Sequence, residues 1–251
     1  MGYIIAVAGK GGTGKTTIAS LLVLWLKLQK KGSILAVDAD PNSTFAQILG
    51  VEENESIGQI IEDIAKNPDL VPGGMSKDHF IEYRIQENLS ETEGFDFLAM
   101  GRPEGPGCYC YANNVLRGIV KKLVSNYNFI IIDNEAGMEH LSRRTTRSAN
   151  CLLLISDYSL MGIRSAKQIK GLIKDLDIQI KRYGLVINRV LRQNHQELVK
   201  EINDFGADFI EYIPEDQNLL ELSIKGLPLT KLNQNSPLLT AVENLGRKLW
   251  Q

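Results

Sequence analysis

The 251-residue sequence contains few of the residues that mark specialised protein classes: three cysteines, eight prolines and 7% aromatic residues. Three cysteines are too few for a disulfide-rich secreted scaffold. The longest apolar stretch, Ile18 to Leu28, is interrupted by Lys27 and is shorter than a membrane span. No secretory signal precedes the first apolar run, so we expect a cytoplasmic protein. The formal net charge of −2 gives no general electrostatic reason to bind nucleic acid, and we expect neither a nucleic-acid nor a membrane partner.

Strand and helix patterns alternate along most of the chain. Hydrophobic residues make up 43% of it, which is enough for a sizeable core. Helices are predicted at Lys15–Lys31 and Leu238–Trp250. Apolar runs predict buried strands at Tyr3–Ala8, Ser33–Asp38, Phe95–Met100, Phe129–Asp133, Cys151–Ser156 and Tyr183–Asn188. Strands that are apolar throughout and separated by helices predict an α/β fold, with a mostly parallel, doubly wound sheet in a single domain over residues 1–251.

Two regions interrupt this alternation. The region 67–94 has Pro68, Pro72, Gly73 and Gly74 among mixed charges, and it is predicted to be an irregular insertion with some helix. Residues 101–111, here named the cysteine loop, begin with a stretch rich in glycine and proline that leads directly to a closely spaced pair of cysteines. We predict that this loop binds a metal ion.

The strongest motif is Gly9 to Thr17, which reads GKGGTGKTT directly after the first predicted strand. It fits both the dinucleotide pattern GxGxxG and the triphosphate pattern GxxxxGK[ST]. Lys15 and Thr16 decide between them, because a triphosphate site needs a cation for the β- and γ-phosphates and a hydroxyl for Mg²⁺. The sequence therefore predicts a phosphate-binding loop, or P-loop. Its predicted nucleotide-binding residues are Gly11, Gly12, Thr13, Gly14, Lys15, Thr16 and Thr17.

Two other predicted strands end in carboxylates. Asp38 and Asp40 lie at the end of the second strand, and Asp133 ends a later one. Ligands in parallel sheets bind at the carboxyl ends of strands, where an acid can hold Mg²⁺ through water or orient an attacking water. Together with the P-loop, Asp133 occupies the Walker B position, which reaches Mg²⁺.

The cysteine loop carries Cys108 and Cys110, one residue apart. Two thiolates cannot complete a tetrahedral metal site, which needs four ligands. A symmetric dimer would bring two such pairs together and supply four sulfurs at its two-fold axis. Thiolates favour Zn²⁺, Ni²⁺, Cu⁺ or iron–sulfur chemistry. Cys151 lies within an apolar strand and is expected to pack in the core.

Lys10 gives the P-loop the pattern KGGxGKTT, which resembles the deviant Walker A motif of the MinD, ParA and nitrogenase iron protein class. The resemblance implies that Lys10 reaches across a dimer interface to the partner's nucleotide. In the family pattern, the aspartate before Pro41 positions the attacking water, so Lys10, Lys15 and Asp40 are the predicted catalytic residues.

The same resemblance implies the remaining site residues. Asp38 then belongs to the Mg²⁺ site with Thr16 and Asp133. Gly137 resembles the glycine of the second switch, whose amide senses the γ-phosphate. The purine base is expected to contact residues at two later positions, namely Asn188, and Pro214 with Glu215.

A narrower resemblance is to the CooC-type maturation ATPases, which help to insert nickel into carbon monoxide dehydrogenase. It rests on the P-loop, on Gly105 to Cys110 and on Glu135 to His140. It implies that the protein binds ATP or ADP with Mg²⁺, that ATP and metal promote a homodimer, and that one Ni²⁺ or Zn²⁺ per dimer is held by Cys108 and Cys110 of both subunits. The implied client is carbon monoxide dehydrogenase or a related nickel enzyme such as acetyl-CoA synthase.

Three other functions stay open. A positioning ATPase like MinD or ParA would bind membrane or DNA, although the apolar face of the last helix is expected to pack on the core. An electron donor like the nitrogenase iron protein would share a cluster, but Glu135 to Arg144 contains no cysteine. That absence disfavours a cluster held by two separated cysteines. An amidotransferase or ligase, such as cobyrinate diamide synthase, would leave the cysteine pair unexplained.

Overall fold

The computed structural model describes residues 2–40, 44–101, 118, 122, 125–135, 148–176, 178–190 and 196–249. In these ranges the strands β1 to β8 are Tyr3–Gly9, Ile34–Ala39, Ser90–Thr92, Phe95–Ala99, Phe129–Asn134, Ser148–Asp157, Gln179–Val190 and Phe209–Pro214. The helices α1 to α8 are Lys15–Gln29, Phe45–Leu49, Ile57–Lys66, Lys77–Glu87, Leu160–Asp175, Gln196–Asn203, Gln217–Ile224 and Pro237–Lys248. Short 3₁₀ turns lie at Pro68–Leu70 and Leu229–Lys231.

The strands form one eight-stranded sheet with the order β3-β4-β2-β5-β1-β6-β7-β8. Every neighbouring pair is parallel except β3 with β4, which is antiparallel. The strand β1 lies between β5 and β6, so the loop that follows β1 opens between the two halves of the sheet. This strand order confirms the predicted doubly wound, mostly parallel α/β fold. Ligands in such sheets bind where the strand order reverses, which here is the carboxyl end of β1.

Both faces of the sheet are covered, which explains why its central strands are apolar throughout. Along β1, alternate side chains enter opposite cores: Ile4 packs on the side of α3 to α6, and Ile5 packs on the side of α1, α2 and α8. Because a slip of one residue would exchange the two cores, this alternation fixes the register of β1 and the position of the P-loop after it.

The region 67–94 is more regular than predicted. It contains the helix α4, whose first turn is capped by Ser76, and the short strand β3, which pairs with β4. The edge strand β8 was also not predicted, because only part of it is buried and its apolar pattern is weak. Both strands missed by the sequence analysis lie at the edges of the sheet, where one neighbour and fewer buried side chains leave a weaker signal.

The apolar face of the last helix, α8, packs into the core, as predicted. Leu238, Val242, Leu245 and Leu249 are each at most 1% exposed. Cys151 is fully buried in β6, which confirms its predicted packing role. None of the helices within the described ranges is both long and apolar enough to cross a bilayer.

Candidate nucleotide-binding site

The P-loop connects the carboxyl end of β1 to the N-terminus of α1. Gly14 is the N-cap residue of α1, and no side chain caps the helix within the described part of the chain. The first N–H groups of a helix have no partner inside the helix, and they attract anions. The loop therefore directs uncapped backbone donors at one point, which is the arrangement that binds a phosphate group.

Two glycines of the loop are required by close approaches to neighbouring strands. A Cβ atom on Gly9 would lie 2.3 Å from the carbonyl oxygen of Ile155 in β6. A Cβ atom on Gly14 would lie 2.3 Å from Nδ2 of Asn188, and the φ angle of Gly14, 92°, is in the left-handed region that favours glycine. The loop thus packs tightly against β6 and β7 on its inner side.

The loop residues divide into an exposed outer part and a buried inner part. Lys10, Gly11 and Gly12 are exposed, whereas Thr13 is 2% exposed and Lys15 is 7% exposed. Thr16 and Thr17 are half-buried at the start of α1. The two lysines predicted to be catalytic therefore differ: Lys15 belongs to the inside of the site, and Lys10 faces solvent. The contact of Lys10 with a partner subunit stays a prediction.

Asp133 lies at the end of β5, beside the P-loop. Burial raises its pKa to about 7, although the hydrogen bond from the Thr16 side chain and the positive charge of Lys15 both lower it. The oxygen Oδ1 is buried and has no hydrogen-bond partner among the described residues. The structure therefore brings together the three side chains Lys15, Thr16 and Asp133, as the motif predicted.

Asp38 is paired in register with Asp133 across β2 and β5. It is fully buried, and this burial raises its pKa to about 8, with a further increase from the charge of Asp133. Its Oδ1 accepts a hydrogen bond from the backbone N–H of Asp40 at 3.0 Å, whereas Oδ2 has no partner among the described residues. Asp40 is half-buried at the end of this strand, and its charge also raises the pKa of Asp133.

These groups fit a magnesium ion. Two buried carboxylate oxygens, on Asp38 and Asp133, lack a hydrogen-bond donor within the described ranges, and the hydroxyl of Thr16 contacts Asp133. No cluster of three or more acidic, histidine or cysteine side chains in those ranges could hold a metal by itself. Mg²⁺ is commonly held by one or two carboxylates together with water and phosphate oxygens, so such a cluster is not required.

The predicted base-side residues lie at the ends of β7 and β8. Asn188 is 5% exposed, and its amide donates a hydrogen bond to the carbonyl oxygen of Thr13 at 2.8 Å. Pro214 is half-buried at the end of β8, and Glu215 is exposed next to it. Their contacts with a purine base stay predictions. The hydrogen bond from Asn188 to the P-loop was not predicted.

Other predicted residues lie outside the described residues. They are Cys108 and Cys110 with most of the cysteine loop, and Gly137. Asn134 was not predicted to have a role, but its amide donates hydrogen bonds to the carbonyl oxygens of Val7 at 2.9 Å and Ile132 at 3.3 Å. Asn134 thereby joins β5 to β1 below the P-loop, and no sequence pattern marks an asparagine for that purpose.

The fold and the site define a P-loop nucleotide-binding protein, and comparisons with known proteins agree. Residues 4–229 match the family described as the CobQ/CobB/MinD/ParA nucleotide binding domain, and the chain belongs to this family. The chain is similar to an uncharacterized ATP-binding protein of Methanocaldococcus jannaschii, at 42% identity over 249 residues, which cover 98% of both chains.

Two further proteins illustrate the range of relatives. The carbon monoxide dehydrogenase accessory protein CooC of Rhodospirillum rubrum is 31% identical over 188 residues, which cover 70% of both chains. The crystal structure of the cell division ATPase MinD of Pyrococcus furiosus has a TM-score of 0.73 at 22% identity, over 100% of this chain and 99% of MinD. That similarity shows the shared fold. The predicted membership of the MinD and ParA class is confirmed, while the narrower CooC-type function stays a prediction.

Proposed function

We propose that the protein is a Mg²⁺-dependent ATPase that dimerises with ATP and serves in the maturation of a nickel enzyme. The observation that carries the ATPase proposal is the contact of Asp133 with Lys15 and Thr16, together with Asp38 beside Asp133 on the neighbouring strand. These two acids are buried and each keeps an oxygen without a partner among the described residues, and Asp133 is paired with Val7, two residues before the P-loop begins. A buried carboxylate without a partner is costly, and its presence beside a phosphate-binding loop supports a role in binding a cation.

Each residue has a distinct task in this proposal. Lys15 and the P-loop amides bind the β- and γ-phosphates, and Thr16, Asp38 and Asp133 would hold Mg²⁺. The bound ion supplies positive charge at the phosphate oxygens. Asp40 accepts a hydrogen bond from the attacking water and so holds it in line with the γ-phosphate.

The ATPase assignment is tested by phosphate release with and without Mg²⁺. We expect Asp40→Asn to bind ATP with nearly wild-type affinity and to hydrolyse it much more slowly, because only the orientation of water is lost. Wild-type protein that binds ATP but releases no phosphate with Mg²⁺ would contradict hydrolysis. Equal turnover in Asp40→Asn and wild type would remove the role of Asp40.

The dimer proposal rests on Lys10, which is exposed on the outer side of a loop whose other lysine is buried. If Lys10 contacts the nucleotide of a second subunit, the dimer binds ATP more tightly than the monomer, and linkage requires ATP to promote dimerisation. Sedimentation with ATP and with ADP measures this effect. An ATP-independent dimer fraction, or one that Lys10→Ala leaves unchanged, would contradict it.

The maturation proposal rests on Cys108 and Cys110 together with the similarity to CooC. Two such pairs in a dimer supply four thiolates for one Ni²⁺ or Zn²⁺, and the client would be carbon monoxide dehydrogenase or acetyl-CoA synthase. Equilibrium dialysis with Ni²⁺ and Zn²⁺ tests the shared site. We expect one metal per dimer, with an affinity that falls at low pH because thiols must lose protons. Unchanged binding in a Cys108→Ser/Cys110→Ser double variant would refute it.

A positioning ATPase like MinD or ParA is the second candidate, and the family and fold support it equally. In this reading ATP-driven dimerisation controls attachment to a membrane or to DNA. The burial of the apolar face of α8 removes that face as a membrane contact. Co-sedimentation with liposomes and a DNA-binding assay, each with ATP and with ADP, distinguish this candidate from the maturation factor. The remaining candidate, an electron donor with a shared iron–sulfur cluster, is tested by the colour and iron content of anaerobically purified protein.

A further inference from the structure

The side chain of Asn188, at the end of β7, is held at both of its polar atoms. Nδ2 donates a hydrogen bond to the carbonyl oxygen of Thr13 at 2.8 Å, and Oδ1 accepts one from the backbone N–H of Arg189 at 3.0 Å. The side chain is 5% exposed. Because the Oδ1 contact fixes the direction of the amide plane, Nδ2 is directed at the P-loop and the orientation is not free to change.

The amide group lies directly beneath the P-loop. A Cβ atom on Gly14 would lie 2.3 Å from Nδ2 of Asn188, so only a glycine permits this approach. The amide therefore supports the loop between Thr13 and the first residue of α1. These are the positions whose backbone N–H groups must face the phosphates.

Thr13 connects the Asn188 side chain to the beginning of the loop. Its hydroxyl donates a hydrogen bond to the carbonyl oxygen of Lys10 at 2.9 Å, and its backbone N–H makes a longer contact of 3.4 Å with the same oxygen. Thr13 is 2% exposed, so these bonds are shielded from water. A continuous line of hydrogen bonds runs from Asn188 through Thr13 to Lys10, and it spans the loop.

We propose that Asn188 is a positioning residue that holds the P-loop in its phosphate-binding shape, acting through Thr13. The inference rests on the proposed ATP-binding function and deepens it, because it assigns to Asn188 a task independent of the base. A side chain that only contacts a purine affects ligands according to their base. A side chain that shapes the loop affects every ligand with a triphosphate group by the same factor.

The test compares ligands with and without a base. Affinities of wild-type protein and Asn188→Ala are measured for Mg·ATP and Mg·GTP, and inorganic tripolyphosphate is measured by competition. Loss of a buried hydrogen bond to the loop is expected to weaken tripolyphosphate by about tenfold, and Mg·ATP and Mg·GTP by at least the same factor, because a predicted contact with the base adds to their loss. Unchanged tripolyphosphate affinity, with or without a loss of ATP affinity, would overturn the positioning role. A wild-type protein that binds neither ATP nor tripolyphosphate overturns both this inference and the proposed function.

Asn150→Ala is the matched control for a general loss of stability. Asn150 lies near the opposite end of the sheet, where its Oδ1 accepts a hydrogen bond from the backbone N–H of Ile4 at 2.9 Å. Its substitution removes a similar bond to β1 and should leave all three affinities unchanged. Equal losses in the two variants would overturn a specific role for Asn188.

A second variant and a second measurement keep the inference testable if Asn188→Ala does not fold. Asn188→Ser keeps a polar group that is too short to reach Thr13, and it is expected to weaken all three ligands as well. Hydrogen exchange of peptides covering residues 10–15 is then compared without ligand. We expect faster exchange in Asn188→Ser than in wild type, and equal exchange would contradict the support of the loop by Asn188.

Discussion

The proposed phosphate side of the site, with the P-loop, Asp38 and Asp133, and the predicted base side, with Asn188 and residues 214–216, are built in opposite ways from the ends of the same sheet. On the phosphate side, the buried acids Asp38 and Asp133 each keep an oxygen that no group within the described ranges satisfies. On the base side, both carboxylate oxygens of Asp216 are used: Oδ1 accepts from the N–H of Leu219 at 2.9 Å, and Oδ2 accepts from the hydroxyl of Ser236 at 2.8 Å.

This difference in hydrogen bonding distinguishes residues that await a ligand from residues that form the structural framework, which are satisfied without one. Burying a carboxylate without a donor destabilises the protein, and the cost is recovered only when a ligand supplies the missing partner. The acids on β2 and β5 therefore support the proposed binding of a cation and a phosphate group at this end of the sheet. Asp216 caps α7 and holds Ser236 at the start of α8, so it stabilises the fold whether or not a ligand is present.

The largest expected effect is on the phosphate side, from the loss of its buried cation. Lys15→Ala should lower ATP turnover by about 100-fold or more, since an electrostatic contact to the transferred phosphate is removed. Phosphate release measures the change. Lys27→Ala, in the last turn of the same helix, is the matched control and should retain wild-type turnover. Comparable turnover in Lys15→Ala and wild type would remove Lys15 from the site.

The second largest effect is expected in the dependence of Mg·ATP affinity on pH. Burial raises the pKa of Asp133 to about 7 and that of Asp38 to about 8, and Mg²⁺ binds the ionised forms. Affinity for Mg·ATP should therefore increase from pH 6 to pH 8. Titration calorimetry in wild type and Asp133→Asn separates this increase from the ionisation of ATP itself, because the variant should show a smaller increase. Identical pH profiles would contradict the assignment.

On the base side, we expect a loss of stability without a loss of phosphate binding. Asp216→Ala removes the N-cap of α7 and the bond to Ser236, and it should lower the free energy of unfolding by about 1–2 kcal/mol. Denaturant unfolding measures the change. Tripolyphosphate affinity should stay within about twofold of wild type, because Asp216 bonds to Leu219 and Ser236 and no lost bond belongs to the P-loop. A large loss of tripolyphosphate affinity would contradict the purely structural role of Asp216.

The smallest effect is expected from Thr13→Val, which removes the hydroxyl that contacts Lys10 but keeps the branched shape. The backbone N–H of Thr13 still contacts the same carbonyl oxygen. Affinity for Mg·ATP should fall by about threefold, near the lower range for one hydrogen bond. Thr13→Ser retains the hydroxyl and should recover the wild-type value. An unchanged affinity in Thr13→Val would show that this bond does not shape the loop.

The proximity of Lys15, Thr16 and Asp133 could be predicted from the sequence, because these residues follow apolar strands at fixed spacing. The run GKGGTGKTT and the acid after Phe129 to Ile132 are local patterns that the sheet brings together through parallel pairing. The bond from Asn188 to Thr13 joins residues that are 175 positions apart, and no local pattern specifies it. The edge strands β3 and β8 were missed for a related reason, since they are short or only partly buried.

Thermal unfolding of wild type, Asp38→Asn and Asp133→Asn at pH 8, with and without Mg·ATP, tests the central claim most directly. Without ligand, each variant should melt higher than wild type, because an amide does not place a negative charge in a buried position. The increase should be about 2–4 °C for each kcal/mol gained by a chain of this size. Addition of Mg·ATP should raise the melting temperature of wild type more than that of either variant. Variants that melt at a lower temperature than wild type without ligand, and whose melting temperature rises as much with Mg·ATP, would contradict the binding of Mg²⁺ by these buried carboxylates.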